Sequence, residues 1–314
     1  MKIVNKSIIA DISLLLVALV WGATFVLVQN AISFLEPFSF NGVRFFIATL
    51  LLGGWFLVFE RKQLKLVNKK LIISGVIIGF WLFVGYATQT LGLLYTTSSK
   101  AGFITGLSVV LVPLFSFLLL KVRPGRNAVI GVLIATCGLY FLTMTGAASL
   151  NIGDAFVLIC AIGFALQIIF TGKYSANYPS LLLTVVQIAT VAIFSSLFAF
   201  IFEDWRLALE PTILFKSDVF LALFVTAFFA TALAFFAQTK FQQFTTPTRV
   251  ALIFAMEPVF AAATAFIWAG ERLSISALFG CLFILAGMVI SELPPTKIPM
   301  YRKERKKNTI GSNH

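Results

Sequence analysis

Apolar positions in this chain gather into ten runs, near residues 8–29, 38–59, 71–95, 99–120, 127–145, 152–172, 180–202, 217–240, 247–269 and 274–291. Each is about long enough to cross a ~30 Å hydrocarbon core, which takes roughly 20 helical residues. Backbone polar groups find no water in lipid, so spanning segments must be helices or a closed barrel. These runs are too long and too uniformly apolar for barrel strands. The pattern predicts an all-α polytopic membrane protein with ten transmembrane helices.

The polar positions between and within the runs repeat. Gln89-Thr90 and Thr96-Thr97 recur 149 positions later as Gln238-Thr239 and Thr245-Thr246. The same shift carries Lys100 onto Arg249, Gly131 onto Gly280 and Gly138 onto Gly287. Earlier in each half a shift of 143 carries Asp11, Ala18, Trp21 and Arg44 onto Asp154, Ala161, Phe164 and Gln187. The register change is expected in the connection at 203–217, as six extra residues. Each unit holds five spans, and an odd number of crossings turns the second copy upside down. The chain therefore reads as two five-helix inverted-topology repeats, with a substrate site at their interface near mid-membrane. The expected organisation is a cytoplasmic N-terminus (1–7), a first repeat (8–145), an external linker (146–151), a second repeat (152–291) and a basic cytoplasmic tail (292–314).

Composition agrees. Of 314 residues 60% are hydrophobic and 11% charged, with a mean hydropathy of +0.99, so lipid must be the solvent. The net charge of +12 follows topology and points to no nucleic-acid partner. All 24 basic residues except Arg44, Lys100, Arg206, Lys216 and Arg272 fall on the side of both termini. The positive-inside rule makes that side cytoplasmic. Glu203, Asp204, Glu210 and Asp218 are then external, and the tail from Lys297 to Lys307 lies on anionic headgroups. The first span is too long for a signal-peptide core and reads as a retained helix.

Candidate chemistry is sparse. His314 is the only histidine, and Cys137, Cys160 and Cys281 sit inside spans, so neither a metal site nor a disulfide framework is expected. No phosphate-cradling Gly-x-x-x-x-Gly-Lys loop occurs, and one deep carboxylate does not make an acid–base pair. An enzyme and a cofactor are both excluded on this reading. The carboxylate is Glu257. Ten residues past Pro247 it stands about 15 Å into the membrane, and Pro258 after it predicts a helix break. Intramembrane ionisable groups are functional by default, so Glu257 is the candidate for substrate and proton. Its repeat mate is Ser108, with a second predicted break at Pro113 one turn on. Tyr86, Gln89 and Thr90 in the third span, and Gln238 and Thr239 in the eighth, either line a cavity or bridge helices. Trp21 and Thr24 share a face of the first span, as do their mates Phe164 and Gln167 in the sixth. Lys100 and Arg249, at the starts of the fourth and ninth spans, are charges that a solute could meet on entering or leaving, or interfacial anchors. Arg44, about two turns from a span end, is either a third such charge or a head that snorkels to the surface. Stripes of small residues at Gly131, Ala135 and Gly138, and at Gly280 and Gly287, suit helix packing or a homodimer contact.

Several of these residues form an ordered series: Trp21-Gly22, Arg44-Phe45, Thr97-Ser98-Ser99-Lys100-Ala101-Gly102-Phe103, Met256-Glu257-Pro258-Val259-Phe260 and Gly270-Glu271-Arg272-Leu273. In that order within a duplicated ten-span chain they resemble the drug/metabolite transporter superfamily, in its EamA-type branch. The resemblance covers residues 8–291. It implies a multi-pass protein of a bacterial cytoplasmic membrane with inside termini. It also implies a cavity lined by spans 1–4 and 6–9, and transport, often efflux, of amino acids or related small metabolites. Repeat one departs from the family pattern, with Ser108-Val109 at the Glu-Pro position and Lys121-Val122-Arg123 at the Gly-Glu-Arg position. A secondary carrier is the leading reading, with the proton coupled through Glu257 as one form of it. A passive facilitator of the same fold and a non-transporting receptor or assembly subunit are the alternatives.

Overall fold

Long apolar segments meet few helix breakers, and their ends are set by side chains that satisfy free backbone N–H groups. In the computed structural model, which describes residues 2–96, 98–143, 151–268 and 274–293, the chain is entirely helical and coil over those residues. The helices are α1 (Lys2–Ala31), α2 (Pro37–Phe59), α3 (Lys69–Leu93), α4 (Ser98–Gly106), α5 (Ser108–Leu120), α6 (Arg126–Thr143), α7 (Ile152–Tyr174) and α8 (Ser180–Phe202). There follow α9 (Pro211–Leu214), α10 (Ser217–Val225), a π-helix (Thr226–Leu233), α11 (Ala234–Gln242), α12 (Pro247–Phe254), α13 (Glu257–Trp268) and α14 (Ile275–Glu292). Asn68 caps α3 by accepting from Leu71 N–H, Thr246 caps α12 with Pro247 at its first position, and Ser274 caps α14. Asn151 and Asp154 cap α7 reciprocally. Seven helices are long and apolar enough to cross a membrane among the described residues. Phe46, Leu50, Val58 and Phe59 of α2, Phe200 and Phe202 of α8, and Leu278 and Leu282 of α14 stand exposed on outer faces that suit lipid. The expected linker, apart from Asn151, and the tail from 294 onward lie outside the described residues.

The duplication is written into the helix ends. Pro37 and Ser180 start α2 and α8, Phe59 and Phe202 end them, and both pairs are 143 positions apart. The starts of α4 and α12, α5 and α13, and α6 and α14 are each 149 apart. Between these blocks the register changes in two steps. The starts of α3 and α10 are 148 apart, so the loop supplies five extra residues. The ends of α3 and α11 are 149 apart, so the sixth lies inside the helix: Ser217–Gln242 has 26 residues against 25 in Lys69–Leu93. The wider π-turn absorbs that residue. The expectation that all six fall in the connection is corrected here.

Packing follows the same symmetry. α6 lies antiparallel against its mate α14, because a Cβ at Gly138 would meet Gly280 O at 2.7 Å and one at Gly131 would meet Gly287 O at 2.5 Å. The two small stripes are thus spent on each other inside one chain, and the dimer contact foreseen for them has no free face there. α2 lies antiparallel against its mate α8. α3 packs on α7 as α11 packs on α1, and α5 packs on α7 as α13 packs on α1. Leu14 and Ala18, Val109 and Val112, Ala165 and Ile169, and Val250 and Ile253 form one core at the centre, so α1, α5, α7 and α12 meet there.

Candidate functional site

Two helices break beside that core. α4 gives way to α5 at Leu107, and α12 to α13 at Ala255 and Met256, with Met256 the repeat mate of Leu107. At each break the hydrogen bonds tighten to three-residue spacing: Val110 N–H donates to Leu107 O at 2.9 Å, and Met256 N–H to Ile253 O at 3.1 Å. Pro258 stands in the first turn after its break, where a missing N–H costs nothing. Pro113 is different. It lies within the continuous helix α5, so the predicted break there is moved six residues back to Leu107. Gly106 was the available signal, and it admits Leu139 against the backbone just before the break.

Glu257 opens α13 at the second break and is half-buried. Among the described residues no side-chain donor or cation pairs with its carboxylate. It lies within electrostatic reach of Tyr86 and Cys160, which places it opposite α3 and α7. α1 approaches it backbone to backbone, since a Cβ on Gly22 would stand 2.5 Å from Glu257 O and 2.9 Å from Ala261 N. Ser108 holds the matching place at the start of α5 and is half-buried. Gly102, in α4, faces open space, with nothing within 4 Å of a Cβ built there.

Trp21, next to Gly22, donates Nε1–H to Ala230 O at 2.8 Å and packs its ring on Phe235 (5.3 Å) and Phe254 (4.9 Å). Ala230 belongs to the π-helix, whose altered bonding leaves carbonyls to outside donors. Arg44 uses the same turn. Its Nε–H donates to Thr231 Oγ1 at 2.7 Å, and one Nη group reaches Tyr86 Oη at 3.4 Å and Ala230 O at 3.5 Å. Arg44 is 3% exposed, so the snorkelling expectation is overturned. The π-turn offers it acceptors inward, and the rings of Phe45 and Tyr86 flank the guanidinium. The periodicity of the sequence gave no sign of this turn.

The other polar candidates divide. Gln89 is 8% exposed and donates to Thr105 Oγ1 at 3.4 Å, within reach of the same interior. Thr90 receives Asn41 Nδ2–H at 3.1 Å, and Thr24 bonds back to Val20 O in its own helix. Gln238 and Thr239 are fully buried. Gln238 exchanges amide bonds with Gln167 and donates to Gln242 Oε1, while Gln187 donates to Thr239 Oγ1 at 2.8 Å. These amides tie α7, α8 and α11 together and expose nothing to a cavity in this conformation. Arg249 forms an ion pair with Asp11 at 2.5 Å, joining α12 to α1. The side chain of Lys100 lies outside the described residues, as do the positions of Thr97 and Gly270-Glu271-Arg272-Leu273.

Comparison with known proteins bears on this arrangement. The model of the EamA-like transporter family matches residues 8–144 and again 151–293. The chain belongs to the EamA-like transporter family. An uncharacterized transporter of Archaeoglobus fulgidus is 38% identical over 288 residues, covering 92% of this chain and 87% of its own. The uncharacterized transporter YoaV of Bacillus subtilis is 23% identical over 287 residues, covering 88% and 94%. A solved crystal structure superposes with a TM-score of 0.73 at 18% identity, covering 90% of this chain and 97% of that one, which shows the shared fold. Family membership makes this a membrane transporter, and the two matched stretches are the two halves whose helix ends coincide.

Proposed function

We propose that this EamA-family protein is a secondary carrier that moves a small organic metabolite by alternating access. The observation that carries the reading is Glu257: a carboxylate at a helix break, on the contact between the two halves, with no side-chain donor or cation paired to it among the described residues. Such a group binds either a cationic part of the solute or a proton, and competition between the two couples their movements. α4–α5 and α12–α13 each form one broken crossing, which brings the total to ten in two inverted five-helix repeats. The antiparallel contacts of α6 with α14 and of α2 with α8 support the inversion. The charge pattern supports termini in the cytoplasm of a bacterial cell, and efflux is the direction the resemblance favours.

Closure at the end where α1 begins is held by Asp11–Arg249. Asp154, the repeat mate of Asp11, belongs to the opposite end, where it accepts Thr96 Oγ1–H at 2.7 Å. The test is transport into proteoliposomes at two pH values, for wild type and Glu257→Gln. The carrier reading expects concentrative, pH-dependent transport in the wild type and loss of the pH dependence in the variant. Concentrative, pH-dependent transport that survives the substitution sinks the role of Glu257, and transport that never exceeds the gradient favours the passive facilitator.

A further inference from the structure

Arg44 brings a charge that the fold itself does not require. Its repeat mate Gln187 occupies the matching place in α8 at 0% exposure, donating to Thr239 Oγ1 at 2.8 Å. A neutral amide is therefore accommodated at the matching place, although Gln187 Oε1 is buried without a partner among the described residues. Arg44 holds a full guanidinium there instead. That group carries five N–H donors in a fixed planar fork. The chain engages Nε at 2.7 Å and one Nη group at 3.4 and 3.5 Å, both long contacts, while the second Nη group meets no acceptor among the described residues. No carboxylate pairs with it there; Tyr86 is its one titratable neighbour.

A desolvated cation with unused donors is costly in a membrane interior, and the cost falls when an anion docks. The fork matches the two oxygens of a carboxylate, which a neutral or cationic solute cannot offer. The Tyr86 ring lies 4.8 Å from the guanidinium, and Tyr86 is also within electrostatic reach of Glu257, so one residue neighbours both charged groups.

We infer that Arg44 receives the carboxylate of the transported solute, so that the cargo is an organic acid or a zwitterion. The inference rests on the carrier reading and adds the charge of its cargo. Benzoate, phenylacetate, hexanoate and L-phenylalanine are titrated into the purified full-length protein, each beside its carboxamide, with binding read by calorimetry. At least one acid binds at least tenfold more tightly than its amide. Arg44→Gln, which installs the side chain found at the repeat mate Gln187, abolishes that preference, and Arg44→Lys keeps part of it. Equal binding of acid and amide by the wild type overturns the assignment. So does a preference that survives Arg44→Gln, and so does failure of every acid in the panel to bind. If the Gln variant does not fold, the acid–amide comparison on the wild type decides alone. Solute flux in proteoliposomes is a separate reading: flux of cargo without acid preference removes the role of Arg44 and leaves the carrier standing.

Discussion

Gly22→Ala places one methyl group at the contact on which the proposed site depends. The new Cβ would stand 2.5 Å from Glu257 O, 2.9 Å from Ala261 N and 2.9 Å from Phe260 Cβ. Ordinary contact begins at 3.4 Å, so α1 and α13 must separate by about 0.9 Å along the shortest of these lines. Two of the three obstructing atoms are backbone, and no rotamer change relieves them. Overpacking of this kind costs about 1–3 kcal/mol, against which the helix propensity of alanine returns at most ~1 kcal/mol. The bundle should therefore fold with a modestly lower melting temperature. Transport should suffer more, by about tenfold or beyond, because the displaced carbonyl belongs to Glu257 itself. Gly54→Ala is the control: nothing lies within 4 Å of its Cβ, so the substitution should leave transport unchanged and stability equal or higher. The assay is solute flux in proteoliposomes beside the melting temperature in detergent. Wild-type flux in Gly22→Ala would refute the claim that the α1–α13 contact positions the site.

Three further expectations follow from other contacts. Asp11→Asn removes a pair whose side chains are 22% and 32% exposed, worth about 0.5–1 kcal/mol after solvent screening, and should open that end up to ~5-fold more often; spin-label distances between the starts of α1 and α12 read the shift, and the exchange Asp11→Arg with Arg249→Asp should reverse it. Glu203, just beyond α8, accepts Phe38 and Ser39 N–H at 2.7 Å each, yet burial first, and the neighbouring Glu36 charge, leave its pKa above the ordinary 4.5. Its contribution to stability is therefore present below 4.5 and lost as pH rises through the raised value, and Glu203→Gln should flatten the fall in melting temperature across that window. Deleting Phe228, an exposed residue of the π-helix, makes the segment as long as α3 and closes the π-turn; α10 and α11 should keep their register while Trp21 and Arg44 lose Ala230 O as an acceptor, lowering the melting temperature with helix content retained.

The larger plan of the molecule could be read from sequence because it rests on coarse signals. Apolar runs mark where helices lie, and polar pairs such as Gln89-Thr90 and Gln238-Thr239 mark the register between halves. The apolar run that opens at Pro247 marks the start of α12, where Thr246 accepts Arg249 N–H as the cap. Single-residue and side-chain decisions were hidden. One extra residue within an apolar run has no marker, so the π-turn, and the acceptors it gives Trp21 and Arg44, could not be foreseen. A proline signals a missing hydrogen bond but not the place where a helix will yield, hence Pro113 in an unbroken α5. Whether a buried amide lines a cavity or bonds to a neighbour depends on which helices meet, which is why Gln238 and Gln167 turned out to hold each other.

Two halves of identical structure, related by a twofold axis in the membrane, would make the two open forms of such a carrier equal in free energy. Here the halves are unequal at the π-turn, where one has a residue that the other lacks. That residue is not confined to a surface loop. It sits where α1 and α2 of the other half are anchored through Trp21 and Arg44. Exchanging the conformations of the halves cannot exchange this anchorage, because α3 has no equivalent turn. On the carrier proposal the resting protein is then biased toward one face, and each 1.4 kcal/mol of that bias would set a tenfold preference for which compartment the empty site samples. That asymmetry lies in the count of residues, 26 in Ser217–Gln242 against 25 in Lys69–Leu93.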